Sequence, residues 1–303
     1  MPTLYTHAES NTRKTWFYLA CFLILIIALG WLISYFLGSY IILWIAVIYS
    51  ILISFFSYWY SDKIVLAMSK AKPIKKRDNP ELYRIVENLC ITAGLPLPKI
   101  YIINESQPNA FATGRDSKHA VIAVTKGLLN RLERAELEGV IAHELAHIGN
   151  RDILLSTIIV VLVGVVVIIT DLFFRISLYG GFSSRRGGRD GGQMRMIMLL
   201  VALILAILAP LFATLIRLAI SRKREFLADA TGALLTRYPE GLAKALEKIS
   251  QDPHPLKVAN NSYAHLYFVS PFKGKQSKSF LTKLFMTHPP VEGRTRALRG
   301  MKI

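Results

Sequence analysis

Four long apolar runs stand out along the chain, from about Thr15 to Leu37, Tyr40 to Tyr60, Ile153 to Phe173 and Met196 to Leu218. Each is close to the roughly 20 residues with which a helix crosses a bilayer core about 30 Å thick. Only Gly38 and Ser39 separate the first two, which predicts a tight helical hairpin with Trp16, Trp31, Trp44, Trp59 and Tyr60 as interfacial anchors. A cleavable signal peptide has a shorter apolar core and a small-residue cleavage site, and here a second span follows at once, so the hairpin is expected to be retained. The third and fourth runs enclose a linker rich in glycine and arginine, Gly180 to Gly192, and their only charges, Asp171 and Arg217, sit near the ends.

Between the two hairpins the pattern changes to that of a folded, water-facing segment. Asn79 is placed to cap a helix with Pro80 in its first position, and Leu82, Ile85, Val86 and Leu89 recur at helical spacing. After Gly94, Leu95 and Pro96, the segments Lys99–Ile103, Asn109–Thr113 and Ala120–Val124 read as short strands. A small sheet therefore precedes the next helix, on which Leu137, Val140, Ile141, Leu145 and Ile148 form an apolar face.

Composition agrees with a membrane protein: 52% of the 303 residues are hydrophobic. The net charge of +17 would suit a nucleic-acid partner, but its distribution points elsewhere. Arg13 and Lys14 precede the first run, Lys63, Lys70, Lys72, Lys75, Lys76 and Arg77 follow the second, and Arg222, Lys223 and Arg224 follow the fourth. The positive-inside tendency puts all three clusters in the cytosol, so the charge is largely topology and no nucleic-acid partner is expected. Arg175, Arg185, Arg186, Arg189 and Arg195 run against this scheme, so either that linker crosses regardless or the second hairpin is incompletely inserted. Cys21 and Cys90 have neither metal-ligand nor disulfide spacing and read as small buried hydrophobes. No Gly-x-x-x-x-Gly-Lys-Ser/Thr loop is present, so no ATP motif is expected.

The chemistry concentrates in His143-Glu144-Leu145-Ala146-His147. Residues four apart share one stripe of a helix, so both imidazoles can bind one zinc ion, and Glu144 can act as general base toward the attacking water. A catalytic zinc needs a third protein ligand. The metzincin position, six residues after the second histidine, is Ile153, which excludes that class. Glu225 fits instead, with Asp229 one turn on where its carboxylate could accept the free ring N–H of a ligating histidine. An inserted hairpin returns the chain to the same membrane face, so a ligand this remote in sequence can reach a site close to the bilayer surface.

These features together resemble HtpX-type proteases, bacterial membrane-bound quality-control enzymes related to the type I CAAX prenyl endopeptidases. The resemblance spans nearly the whole chain: the four apolar runs, Asn109-Ala110-Phe111, HELAHIGNRD from His143 to Asp152, EFLAD from Glu225 to Asp229, and Thr287-His288-Pro289-Pro290. It implies one Zn2+ per chain at His143, His147 and Glu225, catalysis by Glu144, and cytosolic endoproteolysis of misfolded membrane proteins in a bacterial cytoplasmic (inner) membrane. The expected fold is a mainly α membrane protein with an α+β zincin-like (gluzincin) metalloprotease domain. Its expected divisions are an N-terminal hairpin (1–60), a protease domain (61–152 and 221–303), and a second hairpin inserted within it (153–220).

Two weaker expectations complete the site. Asn109, Ala110 and Phe111 could offer backbone to a substrate strand, and His288 with Arg294 resembles a C-terminal motif, either of which could donate to the oxyanion. His254 and His265 have no spacing that argues for a site. A dedicated processing protease with one substrate and a non-catalytic zinc-containing scaffold are the alternatives; an intact general base argues against the scaffold.

Overall fold

The structure, a computed structural model, describes residues 4–37, 39–159, 161–162, 165, 204, 222–252, 268 and 289–301. The third and fourth apolar runs beyond residue 165, their linker, His254, His265 and His288 lie outside the described residues, Ile204 excepted.

Helices α1 (Leu4–Leu37) and α2 (Tyr40–Met68) form the first hairpin. Both contain stretches long and apolar enough to cross a membrane, Asn11–Trp31 and Leu43–Met68. Only 33% and 11% of these stretches are buried, and Trp16, Ile24, Trp31, Trp44, Ile48 and Phe55 are all exposed. A core helix of a water-soluble protein would bury such residues, whereas a lipid-facing one need not. α2 runs past Tyr60, where the apolar run was expected to end. Beyond Asp62 and Lys63 the apolar pattern resumes, and Val65 and Leu66 pack against Ile103, Phe111, Val121 and Ala123 of the sheet.

Strands β1 (Lys72–Pro73), β2 (Lys99–Ile103), β3 (Ala110–Thr113) and β4 (Val121–Thr125) form one sheet in the order β1-β2-β4-β3. β2 and β4 are parallel, and β3 lies antiparallel on β4 as an edge strand. β1 has only two residues, too few for any periodicity to announce it. Helix α3 (Pro80–Ala93) starts at the predicted cap, with Leu82 N–H donating to Asn79 Oδ1 at 3.0 Å, and ends at Gly94 in the left-handed region (φ +64°).

After the short α4 (Lys126–Arg131), helix α5 (Arg134–Gly149) runs through the centre of the core, between the sheet and helices α6 (Arg222–Thr236) and α7 (Pro239–Ser250). Helix α8 (Val291–Arg299) packs on α6 and α7. Gly232 permits the closest approach of α6 to α5: a Cβ there would lie 2.9 Å from the backbone nitrogen of His143. The chain does not continue α5 straight into the third apolar run. Asn150 closes the helix, Arg151 adopts φ +55°, and a new helical stretch begins at Asp152. That turn sends Asp152 back toward the histidines.

Candidate active site

On α5, the four-residue spacing brings the two imidazoles together, with their Nε2 atoms 3.1 Å apart. Glu225, in the first turn of α6, reaches them from the facing helix: its carboxylate oxygens lie 3.5 Å from Nε2 of His147 and 4.0 Å from Nε2 of His143. One ligand atom from each of the three residues falls within 4.8 Å of the others. Atoms sharing one ion at about 2.0–2.2 Å lie no more than roughly 4.4 Å apart, and the separations of 3.1, 3.5 and 4.0 Å fall inside that limit, so the three fit a common metal.

The other ring nitrogen of each histidine faces a carboxylate. Nδ1 of His143 is 2.9 Å from Oδ1 of Asp229, and Nδ1 of His147 is 3.1 Å from Oδ2 of Asp152. Donation from Nδ1–H to these oxygens selects the tautomer whose Nε2 lone pair points at the metal position. Asp229 was anticipated from its spacing after Glu225. Asp152 was not, although it stands within the quoted HELAHIGNRD stretch, because no helical periodicity relates it to His147 across the turn at Arg151.

The two imidazoles have opposite proton affinities. Burial pushes His143 down to about 4, against the pull of Asp229. Burial also acts to lower His147, but the hydrogen bond to Asp152 and the charges of Glu225, Asp152 and Glu144 outweigh it and hold the ring at about 9. Glu144 is raised to about 7 by burial, with Glu225 adding to the effect and His147 and the Ala112 N–H opposing it. A carboxyl poised there can both take and return a proton near neutral pH.

Arg294 comes from α8 and is fully buried behind the ligands. Its Nη2 and Nε donate to the two Asp229 oxygens at 2.6 and 2.8 Å. Its Nη1 donates to the carbonyl of Phe268 at 3.3 Å and lies 3.7 Å from Glu225. The guanidinium thus faces Asp229 and Glu225, rather than standing free to meet an oxyanion. Its partner in that expectation, His288, lies outside the described residues.

At the sheet edge, Thr125 N–H donates to the Asn109 carbonyl, so odd-numbered residues of β3 turn their backbone groups to β4 and Ala110 and Ala112 turn theirs outward. The Ala112 N–H reaches Glu144, and the Ala110 carbonyl accepts from Phe268 N–H at 2.9 Å. Of the three expected strand residues, only Ala110 presents its backbone at the edge. Phe111 packs into the core beside α2, and Asn109 Oδ1 accepts from Ala110 N–H at 3.1 Å. Phe268, whose ring stands edge-on to His143 and beneath Arg294, carries no sequence signal that would have placed it here.

Two histidines and a glutamate converging on one metal position, with a buried carboxyl beside them beneath an edge strand, define a metalloprotease of the zincin type. The chain belongs to peptidase family M48, whose model matches residues 76–302, and within it to the HtpX proteases. A protease HtpX homolog of Dictyoglomus thermophilum is 48% identical over 301 residues, covering 99% of this chain and 95% of the relative. Another, of Thermoanaerobacter pseudethanolicus, is 44% identical over 304 residues, covering 99% and 98%. The solved structure of Ste24p from S. mikatae aligns with 97% of this chain and 66% of its own at 18% identity, with a TM-score of 0.46, too distant a likeness to transfer residue roles.

Proposed function

We propose that this metalloprotease is a zinc endopeptidase that hydrolyses misfolded or damaged membrane proteins at the cytosolic face of a bacterial inner membrane. The observation that carries the reading is the convergence of His143, His147 and Glu225 within 4.8 Å, with Glu144 buried beside them. When bound, a zinc ion supplies a Lewis acid that polarises water and the scissile carbonyl. Glu144 takes a proton from the attacking water and returns it to the leaving amine. Asp229 and Asp152 hold the histidine rings in orientation. Arg294 supports the site from behind by fixing Asp229 and limiting the swing of Glu225.

Substrate would lie along β3, whose outward Ala112 carbonyl suits strand addition beside Glu144. The membrane part of the reading rests on the exposed apolar faces of α1 and α2 and on the basic cluster Lys63 to Arg77 where α2 meets the protease domain. The division into a hairpin (1–60), a split protease domain (61–152 and 221–303) and an inserted hairpin (153–220) belongs to the same reading, with the end of α2 serving both of the first two parts.

The deciding experiment compares the detergent-solubilised chain with its Glu144→Gln variant. About one zinc in each, with cleavage of an unfolded membrane protein lost only in the variant, is the expected result. Absence of zinc from both, or a variant that cleaves as well as the parent, would overturn the catalytic assignment.

A further inference from the structure

We infer that Asn11, on the helix that opens the first candidate membrane span, is a positioning residue for the metal centre. It holds Asp152, and Asp152 holds His147; the inference rests on reading His143, His147 and Glu225 as the metal ligands.

Asn11 is buried, unusual for an amide, in the polar opening turns of α1. Its Nδ2 donates to Oδ1 of Asp152 at 2.8 Å and to the carbonyl of Asn150 at 3.4 Å. Its Oδ1 accepts from Nη1 of Arg224 at 3.3 Å, and the same guanidinium nitrogen lies 3.0 Å from Asp152 Oδ1. The alternative orientation of the amide would set an oxygen against a carboxylate and an NH2 against a guanidinium, so the network itself fixes which end points where.

Asp152 therefore divides its work. One oxygen is held by Asn11 and Arg224, and the other accepts from His147 Nδ1–H at 3.1 Å. A carboxylate with one oxygen pinned can rotate only about that anchor, which confines the imidazole plane and aims Nε2 at Glu225. Asp152 needs that anchor because it follows the turn at Arg151 (φ +55°), outside the hydrogen-bonded frame of α5.

The docking is not a single contact. Below Asn11, Leu19, Phe22 and Ile26 of α1 pack against Leu154, Ile158 and Leu162 of the stretch that begins at Asp152. Seating α1 along that stretch brings Asn11 to Asp152, so metal binding and hairpin docking stabilise one another: a chain whose α1 is displaced holds its metal less tightly.

The test uses the full chain in detergent and two readouts independent of turnover: the zinc dissociation constant by chelator competition, and the visible absorption of the cobalt(II)-substituted protein. Asn11→Ala should raise the dissociation constant by about tenfold and Asp152→Ala by about 10–100-fold, with altered cobalt spectra. Lys14→Ala, exposed on the same helix, should leave both readouts at the parent's values. In the Asp152→Ala background, Asn11→Ala should add nothing, because the path runs through Asp152. Asn11→Asp keeps the shape and the oxygen facing Arg224 but puts a second oxygen against Asp152, so it should weaken zinc at least as much as alanine does. Parent-like binding in Asn11→Asp or Asn11→Ala, or an Asn11 effect undiminished without Asp152, would overturn the inference. A parent chain that binds no zinc would overturn the ligand assignment, and this inference with it.

Discussion

Replacing Asp229 with alanine separates two roles of one carboxylate, because Asp229 both neutralises a buried guanidinium and orients a metal ligand. Arg294 and Asp229 are both fully buried and joined by hydrogen bonds of 2.6 and 2.8 Å. Removing one partner of a buried ion pair costs about 3–5 kcal/mol, mostly because the other charge is left without compensation. Glu225, 3.7 Å from Arg294, offers partial replacement, which argues for the lower end, about 3 kcal/mol. In a chain of 303 residues, at roughly 2.1 cal/mol/K of unfolding entropy per residue, that is a fall of about 5 °C in the unfolding midpoint. The compensation has a second consequence, since a Glu225 drawn toward Arg294 turns away from the metal. With the Nδ1–H of His143 also deprived of its acceptor, zinc affinity should fall by at least the 10–100-fold typical of lost outer contacts.

The assay is thermal unfolding of the metal-free chain in detergent, paired with zinc titration against a chelator. The informative comparison is Asp229→Ala with Arg294→Met added. Removing the stranded charge should restore most of the lost stability, since a buried ion pair is often replaceable by apolar side chains. It should not restore zinc affinity, because His143 still lacks its acceptor. The pH dependence follows from the carboxyl itself. Burial acts to raise Asp229, but Arg294 and the hydrogen bonds of Arg294 and His143 outweigh it and hold the group below the usual carboxylate range. Its stabilisation is therefore full above that range and lost as pH falls through the depressed value, so the variant should lose part of the parent's acid-side decline. An Asp229→Ala protein that unfolds with the parent, or a double variant no more stable than the single one, would refute the reasoning.

Three further outcomes are expected. Gly232→Ala places a Cβ 2.9 Å from the His143 backbone nitrogen, where no flexible side chain can yield. It should cost about 1–3 kcal/mol in unfolding and weaken zinc by shifting α6 and Glu225; unchanged binding would mean the helices tolerate separation. At pH 8 the metal-free His147, held at about 9, is protonated, and a ligating imidazole must be neutral, so zinc binding should release about one proton, and fewer above pH 9. Calorimetry in buffers of different ionisation enthalpy measures this, and buffer-independent heats at pH 8 would contradict it. With Cys21 and Cys90 replaced, Ser183→Cys should react with an impermeant thiol reagent only from outside the cell; labelling from the cytosol would discard a four-crossing topology.

How much of this was legible in the sequence depended on whether a periodicity reported the contact. His143 and His147 share a helix, so their spacing stated their geometry outright, and Glu225 with Asp229 repeats the same four-residue rule. Three of the four described strands were legible nearly to the residue because each alternates or runs apolar between turn signals, whereas β1 was too short to show a pattern. Apart from Asp229, the contacts that steady the ligands have no such carrier. Asp152 reaches His147 only because Arg151 adopts a left-handed conformation that nothing in the flanking sequence demands of an arginine. Phe268 reaches β3 through one backbone hydrogen bond, and Asn11 reaches Asp152 across 141 positions of chain.

This difference has a physical basis. A first ligand must project from a rigid element at a set spacing, whereas the group that steadies it can approach from any direction the fold leaves open. In this chain the supporting groups come from α1, from the turn after α5, and from α8, so the metal position is enclosed by segments drawn from nearly the whole length of the sequence. A site assembled in that way completes only when each of those segments is docked. The hairpin at the N-terminus is then a structural participant in the metal centre as well as an anchor, and a truncation that begins after Tyr60, which keeps Val65 and Leu66 on the sheet, should fold its sheet and α5 yet bind zinc more weakly than the full chain in a chelator titration.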